Sequence, residues 1–468
     1  MNIEQIYTGC LSQGAYYIES KGEVAIIDPL REVQPYIDRA AKDKATIRYI
    51  FETHFHADFV SGHVTLAEKT GAKIVFGPNA KTNFPSHIAK DNEVFTLGDI
   101  EIIAMHTPGH TMESTSYLLR DEHGKDYALF SGDTLFLGDV GRPDLAQKSD
   151  LTKEQLAGTL FDSLRDKIMP LADDVIVYPA HGAGSACGKN LSTETQGTIG
   201  NQKLTNYALR ADMTKEEFIK EVTAGLLPPP SYFPLNVKLN KEGYESIDEV
   251  LASGNTALDP EKFEQLANDT DALVLDVRHQ NDFIKGFIPR SIFIGLDGSF
   301  APWVGALIKD IKQPILLVCP AGREEETVTR LSRVGFDHAL GYLKGGIEAW
   351  KKSGKEVDTL DSVSPEVLAE KIAAKEAIIF DVRKPGEYAS EHILEVENTP
   401  LDFINDYVAE FPTKQEFYVH CQGGYRSVIA ASILKARGFH NVIDVAGGFT
   451  AIKETAIKTT DFVCPTTL

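Results

Sequence analysis

Short apolar runs that each end in polar side chains recur along the first 225 residues. Runs of this length, rich in β-branched residues and bounded by turn residues, predict β-strands. The pattern predicts a layered α/β sandwich whose strands deliver polar groups to one rim. The five runs are EVAIIDP (23–29), IRYIFETH (47–54), EIIAMHTPGH (101–110), KDYALFSGDT (125–134) and VIVYPAHG (175–182).

The C-terminal half contains an internal repeat. ALVLDVR ends at Arg278 and AIIFDVR at Arg383, and LLVCPAGRE around Cys319 matches FYVHCQGGYRS around Cys421. These pairs, with RVGF/ARGF and LKGGIEAW/VAGGFTAI further on, are offset by 102–105 residues. Apolar strands alternate with polar helices in each copy, which predicts two small α/β domains with mostly parallel sheets.

The segment GLLPPPSYFPLN (225–236) contains three consecutive prolines, which fit neither a helix interior nor a central strand. We therefore predict a sandwich domain over 1–225, a Pro-rich linker over 226–255, and the two copies over 256–356 and 362–460. A rigid loop within one domain is the alternative for the Pro-rich segment.

The composition indicates which partners and which cellular location to expect. Lys and Arg number 47 against 68 Asp and Glu, a formal net charge of −21, without any basic run, so nucleic acid and anionic membranes are not expected partners. The start has no signal-peptide pattern, and no apolar run approaches the ~18 residues of a membrane span. Five scattered cysteines fit free thiols in a reducing cytoplasm, the expected location.

Polar residues of metal-ligand type cluster after the predicted strands. Thr53–Phe59 (THFHADF) contains three neighbouring polar side chains, and burial alone does not explain them because each would need a partner. Imidazole together with carboxylate is a ligand set that suits zinc, iron or manganese. The candidates are His54, His56, Asp58, His110, Asp133 and His181.

Over residues 1–215 this set resembles the metallo-β-lactamase superfamily, whose motif is T-H-x-H-x-D-H followed by His, Asp and His. The resemblance implies an αββα sandwich. Phe59 stands where the family's last motif histidine lies, and phenylalanine cannot coordinate a metal. In dinuclear members that histidine holds the second ion with residues matching Asp58 and His181, so the departure predicts one good site.

Within the superfamily the pattern is similar to the persulfide dioxygenases. That similarity implies one Fe(II) per chain, held by His54, His110 and Asp133 as a two-histidine, one-carboxylate triad with open positions. It also implies three side chains that orient ligands and bound water, namely His56, Asp58 and His181.

Two more residues are candidates near this rim. GDVGRPD (138–144) also resembles these dioxygenases, and Arg142 is expected to meet a carboxylate or phosphate of the thiol carrier; an exposed structural arginine is the alternative. Cys187 follows His181 by six residues, so its thiol is a candidate persulfide carrier or a packing residue.

The second copy carries the loop CQGGYRS between an apolar strand and a helix. Glycine amides, the helix N-terminus and Arg426 are expected to lower the pKa of the Cys421 thiol and make it a nucleophile. Over about 370–460 the chain resembles rhodanese sulfurtransferases, whose loop reads C-x-x-G-x-R. The resemblance implies sulfur transfer at Cys421, with the substrate bound by the rest of the loop, Gln422, Gly423, Gly424, Tyr425, Arg426 and Ser427.

The first copy has a poorer loop, CPAGRE. Pro320 removes one backbone donor, and Glu324 stands at the arginine position, where a carboxylate repels sulfite and raises the thiol pKa. Cys319 is predicted to be a slow sulfur acceptor at most, with Arg323 as its compensating charge.

Together the resemblances imply oxidation of a small thiol persulfide by O₂ to sulfite, coupled to thiosulfate formation or use at Cys421, in sulfide disposal. A glyoxalase-II-like thioester hydrolase fused to a sulfurtransferase, and a sulfur-carrier scaffold, are the alternatives. The thiol carrier (glutathione, coenzyme A, bacillithiol or another) stays open, as does a homo-oligomer (dimer or tetramer).

Overall fold

The computed structural model describes residues 1–145, 151–189, 191–226 and 228–464. The chain divides into two compact units: the first comprises Met1–Ile247 and Leu331–Gly335, and the second the remaining described residues from Asp248 on. In these described ranges no helix is long and apolar enough to cross a bilayer.

Among its described residues the first unit has two six-stranded sheets, each strand pairing with its neighbour in the orders given below. The first sheet runs β1–β6 in order, with strands Asn2–Thr8, Gln13–Ser20, Glu23–Ile27, Thr46–Phe51, Lys73–Phe76 and His87–Ile88. The second runs from β12 back to β7, with β7–β12 being Glu93–Leu97, Ile100–His106, Thr115–Arg120, Asp126–Gly132, Ile176–Pro179 and Gly197–Thr198.

Successive side chains along each strand point to opposite faces of its sheet, and this alternation gives the unit its layers. In β8, Ile102 and Ala104 enter a core shared by both sheets, whereas Ile103 and Met105 pack in the core beneath the helices of the second sheet. Residues of the first sheet likewise pack on its own outer helices. The resulting αββα sandwich confirms the predicted fold class, and the predicted apolar runs form β3, β4, β8, β10 and β11.

Two helices begin within the segment predicted to be a linker. Residues 226–255 contain α6 and α7, so the structure differs from the predicted linker: the prolines precede α6 or occupy its first turn, where a missing N–H is tolerated.

The helices up to this point of the chain are α1 Gln34–Lys42, α2 His63–Thr70, α3 Lys153–Ser163, α4 Ile199–Thr205, α5 Lys215–Thr223, α6 Phe233–Glu242 and α7 Ile247–Gly254, with a π-helical turn Leu164–Ile168 and a 3₁₀ turn Tyr207–Leu209.

The second unit contains, in its described part, two five-stranded sheets whose pairings are all parallel. The first has the order β13-β17-β16-β14-β15, with β13–β17 being Ala257–Leu258, Leu273–Asp276, Ile292–Phe293, Ile315–Val318 and Ala339–Leu343. The second has the order β18-β22-β21-β19-β20, with β18–β22 being Ser362–Val363, Ile379–Asp381, Glu397–Asn398, Phe417–His420 and Val442–Val445. Because the two orders are equivalent, the predicted duplication is confirmed.

Helices of the second unit connect these parallel strands. They are α8 Pro260–Thr270, α9 Gln280–Phe283, α10 Phe300–Leu307, α11 Glu324–Ser332, α12 Gly346–Lys352, α13 Pro365–Ala373, α14 Pro385–Ser390, α15 Ile404–Tyr407, α16 Tyr425–Ala436 and α17 Gly448–Ile452, with 3₁₀ turns Leu401–Phe403 and Val408–Glu410. Each cysteine loop lies between a buried strand and a helix, β16–α11 in the first copy and β21–α16 in the second.

Candidate metal centre and thiol loops

Three side chains meet where β4, β8 and β10 end. His110 Nε2 lies 3.4 Å and His54 Nε2 3.8 Å from Asp133 Oδ2, and one ligand atom from each residue falls within 4.8 Å of the others. All three side chains are buried. The structure thus brings together the three ligands that the family resemblance implies.

Hydrogen bonds set the ring orientation of both histidines. The Thr53 hydroxyl donates to Asp28 at 2.8 Å, so it accepts from His54 Nδ1, 3.0 Å away. His110 Nδ1 donates to the carbonyl of Arg142 at 2.9 Å. With the proton on Nδ1, each Nε2 offers a lone pair toward Asp133.

The surroundings of Asp133 show whether these residues fit a metal ion. Both of its carboxylate oxygens are buried, and neither has a hydrogen-bond partner among the described residues. An orphaned buried carboxylate is costly unless a cation meets it. Burial and the neighbouring imidazoles lower the pKa of His54 well below its ordinary value, which favours the neutral ring that a metal requires. The set fits a divalent ion.

His56 turns away from this triad. Its Nε2 lies 3.1 Å from Asp28 Oδ1 and 3.4 Å from Glu52 Oε2, and its ring packs on Phe59 with centroids 4.3 Å apart. Although burial opposes it, these two carboxylates raise the pKa of His56 well above its ordinary value. Sequence reasoning did not assign a role to Glu52, although it directly precedes the Thr-His motif.

Asp58, His181 and Cys187 form a second buried cluster beside the triad. His181 Nε2 lies 3.4 Å from Asp58 Oδ2 and 3.6 Å from Asp133 Oδ1, and ligand atoms of the cluster fall within 4.8 Å of one another. His181 Nδ1 donates to the Ser12 carbonyl at 3.1 Å. Burial, followed by the two carboxylates, raises the pKa of the Cys187 thiol well above its ordinary value. Cys187 therefore lines the candidate centre.

The Arg142 side chain is paired with a neighbouring carboxylate. It is buried and forms a two-pronged ion pair with Asp144, with both nitrogen–oxygen distances 2.7 Å. Its backbone N–H donates to the Cys187 carbonyl at 3.0 Å. The guanidinium is thus paired with Asp144, only two residues away, and binding of a thiol carrier by Arg142 stays a prediction. Arg142 orients His110 through its carbonyl.

The Cys421 loop is shaped by the backbone. The N–H of Gly424, whose φ is +91°, donates to Cys421 Sγ at 3.1 Å. The N–H of Phe449 donates to the Cys421 carbonyl at 2.7 Å, which holds the loop against α17. A side chain at Gly448 would place its Cβ 2.4 Å from the Cys421 carbonyl oxygen, so this close approach requires glycine.

Two side chains of the loop are paired with other residues of the second copy. Arg426 is paired with Glu387 at 2.6 and 2.8 Å, so its charge is already shared rather than directed only at the thiol. Gln422 accepts from Arg383 at 3.1 Å, and Gly423 is exposed, with open space where its Cβ would be. An oxyanion at Cys421 would compete with Glu387 for Arg426.

Tyr425 and Ser427 were expected to bind substrate, and for both this stays a prediction; the structure shows which groups surround their side chains. The Tyr425 hydroxyl donates to the Gly295 carbonyl of the first copy at 2.7 Å, and the ring occupies the space of a Cβ at Gly298. Ser427 is fully buried next to Asp444. Their place at the start of α16 turns them toward neighbouring elements, and Tyr425 anchors the loop to the first copy.

The first-copy thiol is poorly activated. Burial, with a contribution from Glu324, raises the pKa of Cys319 to about 12. Arg323 is committed to Glu326 at 2.8 Å and Asp297 at 2.6 Å. Burial, which the sequence did not reveal, is the larger cause.

Cys319 is expected to resist alkylation until the pH is strongly alkaline, since a pKa of about 12 leaves about one thiolate in ten thousand at pH 8. Iodoacetamide labelling from pH 7 to 11, read by peptide mass spectrometry, measures this, with the exposed Cys464 as internal control. Glu324→Gln should shift the Cys319 profile to lower pH. Labelling of Cys319 at pH 7 as fast as that of Cys464 would contradict the expectation.

Comparison with known proteins agrees with this architecture. The metallo-beta-lactamase superfamily model matches residues 8–181, and the rhodanese-like domain model matches 259–353 and 364–455. A crystal structure of a metallo-beta-lactamase from Staphylococcus aureus is 32% identical, with a TM-score of 0.64, covering 74% of this chain and 98% of that one.

Several curated relatives of the first domain carry hydrolase names. Hydroxyacylglutathione hydrolase GloC from Haemophilus influenzae is 29% identical over 212 residues, covering 40% of this chain and 94% of GloC. Glyoxylase B2 from Dictyostelium discoideum is 32% identical over 194 residues, 37% of this chain, and the match spans 61% of its length, less than two thirds. The chain belongs to the metallo-β-lactamase superfamily, with two rhodanese-like domains at its C-terminal end.

Proposed function

We propose that the protein oxidises a low-molecular-weight persulfide with O₂ and transfers sulfur at Cys421. The first reaction is R–S–SH + O₂ + H₂O → R–SH + SO₃²⁻ + 2 H⁺. The observation that supports it most is the set of His54, His110 and Asp133, from which His56 is withdrawn toward Asp28 and Glu52. Two histidines and one carboxylate with open positions are the ligand set of non-haem iron oxygenases.

In this proposal some residues of the site bind the metal and others orient its ligands. His54, His110 and Asp133 would hold ferrous iron, which would supply activation of O₂ and of the terminal persulfide sulfur. Thr53 and the Arg142 carbonyl keep the histidine lone pairs directed inward. The buried surroundings limit the entry of water.

Cys421 performs the second reaction. A persulfide carried on Cys421 passes its outer sulfur to sulfite, Cys–S–S⁻ + SO₃²⁻ → Cys–S⁻ + S₂O₃²⁻, and the reverse reaction charges the thiol. The Gly424 N–H stabilises the sulfur anion in either direction. We place this pair of reactions in cytoplasmic sulfide disposal, where one chain would produce sulfite and also consume it.

A thioester hydrolase is the second candidate function. The relatives named hydroxyacylglutathione hydrolase favour it. The cluster of Asp58, His181 and Cys187 favours it as well, because these donors could hold a second ion despite Phe59. A thiolate donor would favour zinc there.

Oxygen uptake tests the proposal directly. Protein loaded anaerobically with Fe(II) is expected to consume O₂ and release sulfite with at least one persulfide of glutathione, coenzyme A or bacillithiol. In a parallel assay, zinc-loaded protein is given a hydroxyacylglutathione thioester to test the hydrolase. Thioester hydrolysis without O₂ uptake would reject the dioxygenase in favour of the hydrolase.

Metal content separates the same two candidates. We expect one iron per chain in active protein, because Phe59 removes a ligand from the second position, and we expect Cys187→Ala to leave that number unchanged. Elemental analysis measures both. Two metals per chain, falling to one in Cys187→Ala, would show that Cys187 replaces the lost histidine and would support the hydrolase.

A further inference from the structure

The loop that carries the Thr-His motif depends on partners outside the strands. Residues 52–62, between β4 and α2, form neither helix nor strand in the described structure apart from one isolated bridge at Ser61. Because the loop is buried, its backbone groups need hydrogen-bond partners. We propose that α6, through Asn240, is the positioning element of this loop, so that the segment predicted as a linker controls metal binding.

Asn240 is buried and bonds to the loop at three points. Its Nδ2 donates to the carbonyls of His56 and Phe59 at 2.8 and 2.9 Å, and its Oδ1 accepts from the Ser61 N–H at 2.9 Å. These contacts lie on both sides of Asp58. One side chain therefore fixes the stretch of backbone from which Asp58 reaches His181.

A second anchor follows the same helix. The Tyr244 hydroxyl accepts from the N–H of Val64 at 3.2 Å, next to the end of the loop. Arg31 lies over the Tyr244 ring, 4.0 Å from its centroid, and donates to the Glu245 carbonyl at 2.8 Å. Residues 240–245 thus contact the loop and the segment that follows β3, which carries Asp28.

Only an amide satisfies this position. Two carbonyls need donors and one N–H needs an acceptor, and the asparagine side chain supplies both kinds. The substitution Asn240→Asp keeps the size of the side chain but would set a carboxylate against two carbonyl oxygens. Alanine would leave three buried backbone groups without partners.

The inference rests on the proposed metal site, and its experiment separates the two. Asn240→Ala and Asn240→Asp are expected to raise the Co(II) dissociation constant about tenfold and to change the visible spectrum of the Co(II) protein. This is the low end of the range for partners of metal ligands, because Asn240 bonds the loop that carries His54 and not a ligand itself. Asn236→Ala is the matched control: Asn236 is buried on the same helix, and its side-chain amide has no hydrogen-bond partner among the described residues. The control should keep the wild-type affinity and spectrum.

Hydrogen exchange provides a readout that needs no metal. In metal-free wild type the Ser61 amide should exchange slowly, and in the Asn240 variants residues 55–62 should exchange faster than in Asn236→Ala. Wild-type affinity in both Asn240 variants, or fast exchange at Ser61 in the wild type, would overturn the inference. Absence of metal binding in the wild type would instead overturn the proposed function, while the exchange result still decides the role of Asn240.

Discussion

Cys421→Ser is expected to abolish formation of thiosulfate from sulfite while leaving metal content and O₂ uptake at wild-type levels. A serine hydroxyl is far too weakly acidic to accept and release sulfur at neutral pH. The Gly424 N–H then has no sulfur anion to stabilise. Thiosulfate assays and an oxygen electrode on the same preparation measure the two activities.

Cys319→Ser is the matched control for that substitution. The thiol stands at the same place in the duplicated fold, but burial and Glu324 raise its pKa to about 12. Sulfur transfer should therefore change little in this variant. If Cys319→Ser removed transfer and Cys421→Ser spared it, the assignment of the two loops would have to be exchanged.

His110→Ala is expected to give the opposite result, with loss of bound metal and O₂ uptake and retention of sulfur transfer. The variant removes one of the three proposed ligands and the ring that the Arg142 carbonyl orients, leaving Asp133 with one fewer neighbour. Elemental analysis, O₂ uptake and the thiosulfate assay together test it.

His106→Ala is the control for a lost imidazole in the same stretch of chain. His106 ends β8 four residues earlier, and its ring contacts the Met112 carbonyl at 3.0 Å, outside both the triad and the cluster of Asp58, His181 and Cys187. Metal content should stay at the wild-type value. Full iron in His110→Ala, or equal losses in both variants, would remove His110 from the proposed ligands.

Opposite effects of Cys421→Ser and His110→Ala would establish two separable chemistries in one chain. Loss of both activities in either variant would instead point to a general effect on folding. Circular dichroism and the unfolding midpoint of each variant distinguish that case.

Local patterns in the chain were sufficient for much of this protein. Period-two strands, glycine-rich turns and a repeat offset of about one hundred residues depend on neighbours in sequence, so a layered α/β sandwich and the duplicated α/β domains were predictable. The αββα order of the layers came from the family resemblance. The strands predicted from the sequence likewise placed His54, His110 and Asp133 at or just after strand ends, where β4, β8 and β10 end in the structure.

Tertiary structure decided which of several chemically equal groups face the centre. His54 and His56 are both imidazoles of one motif, but only His56 is drawn to Asp28 and Glu52. Arg142 and Arg426 carry the positive charge that would bind an anion. In the structure Arg142 is ion-paired with Asp144, and Arg426 with Glu387. Partner choice depends on charges brought close by folding, which spacing along the chain does not reveal.

The sequence alone thus determined the fold class, the duplication and the residue types available for chemistry. Only the folded chain decided their roles: Asn240 binds the His56 carbonyl across 184 positions of sequence, and Tyr425 reaches Gly295 across 130. The physical reason is that secondary structure follows from local propensity and periodicity. The direction of a side chain, its desolvation and its hydrogen-bond partners follow from packing between segments that are distant in the sequence.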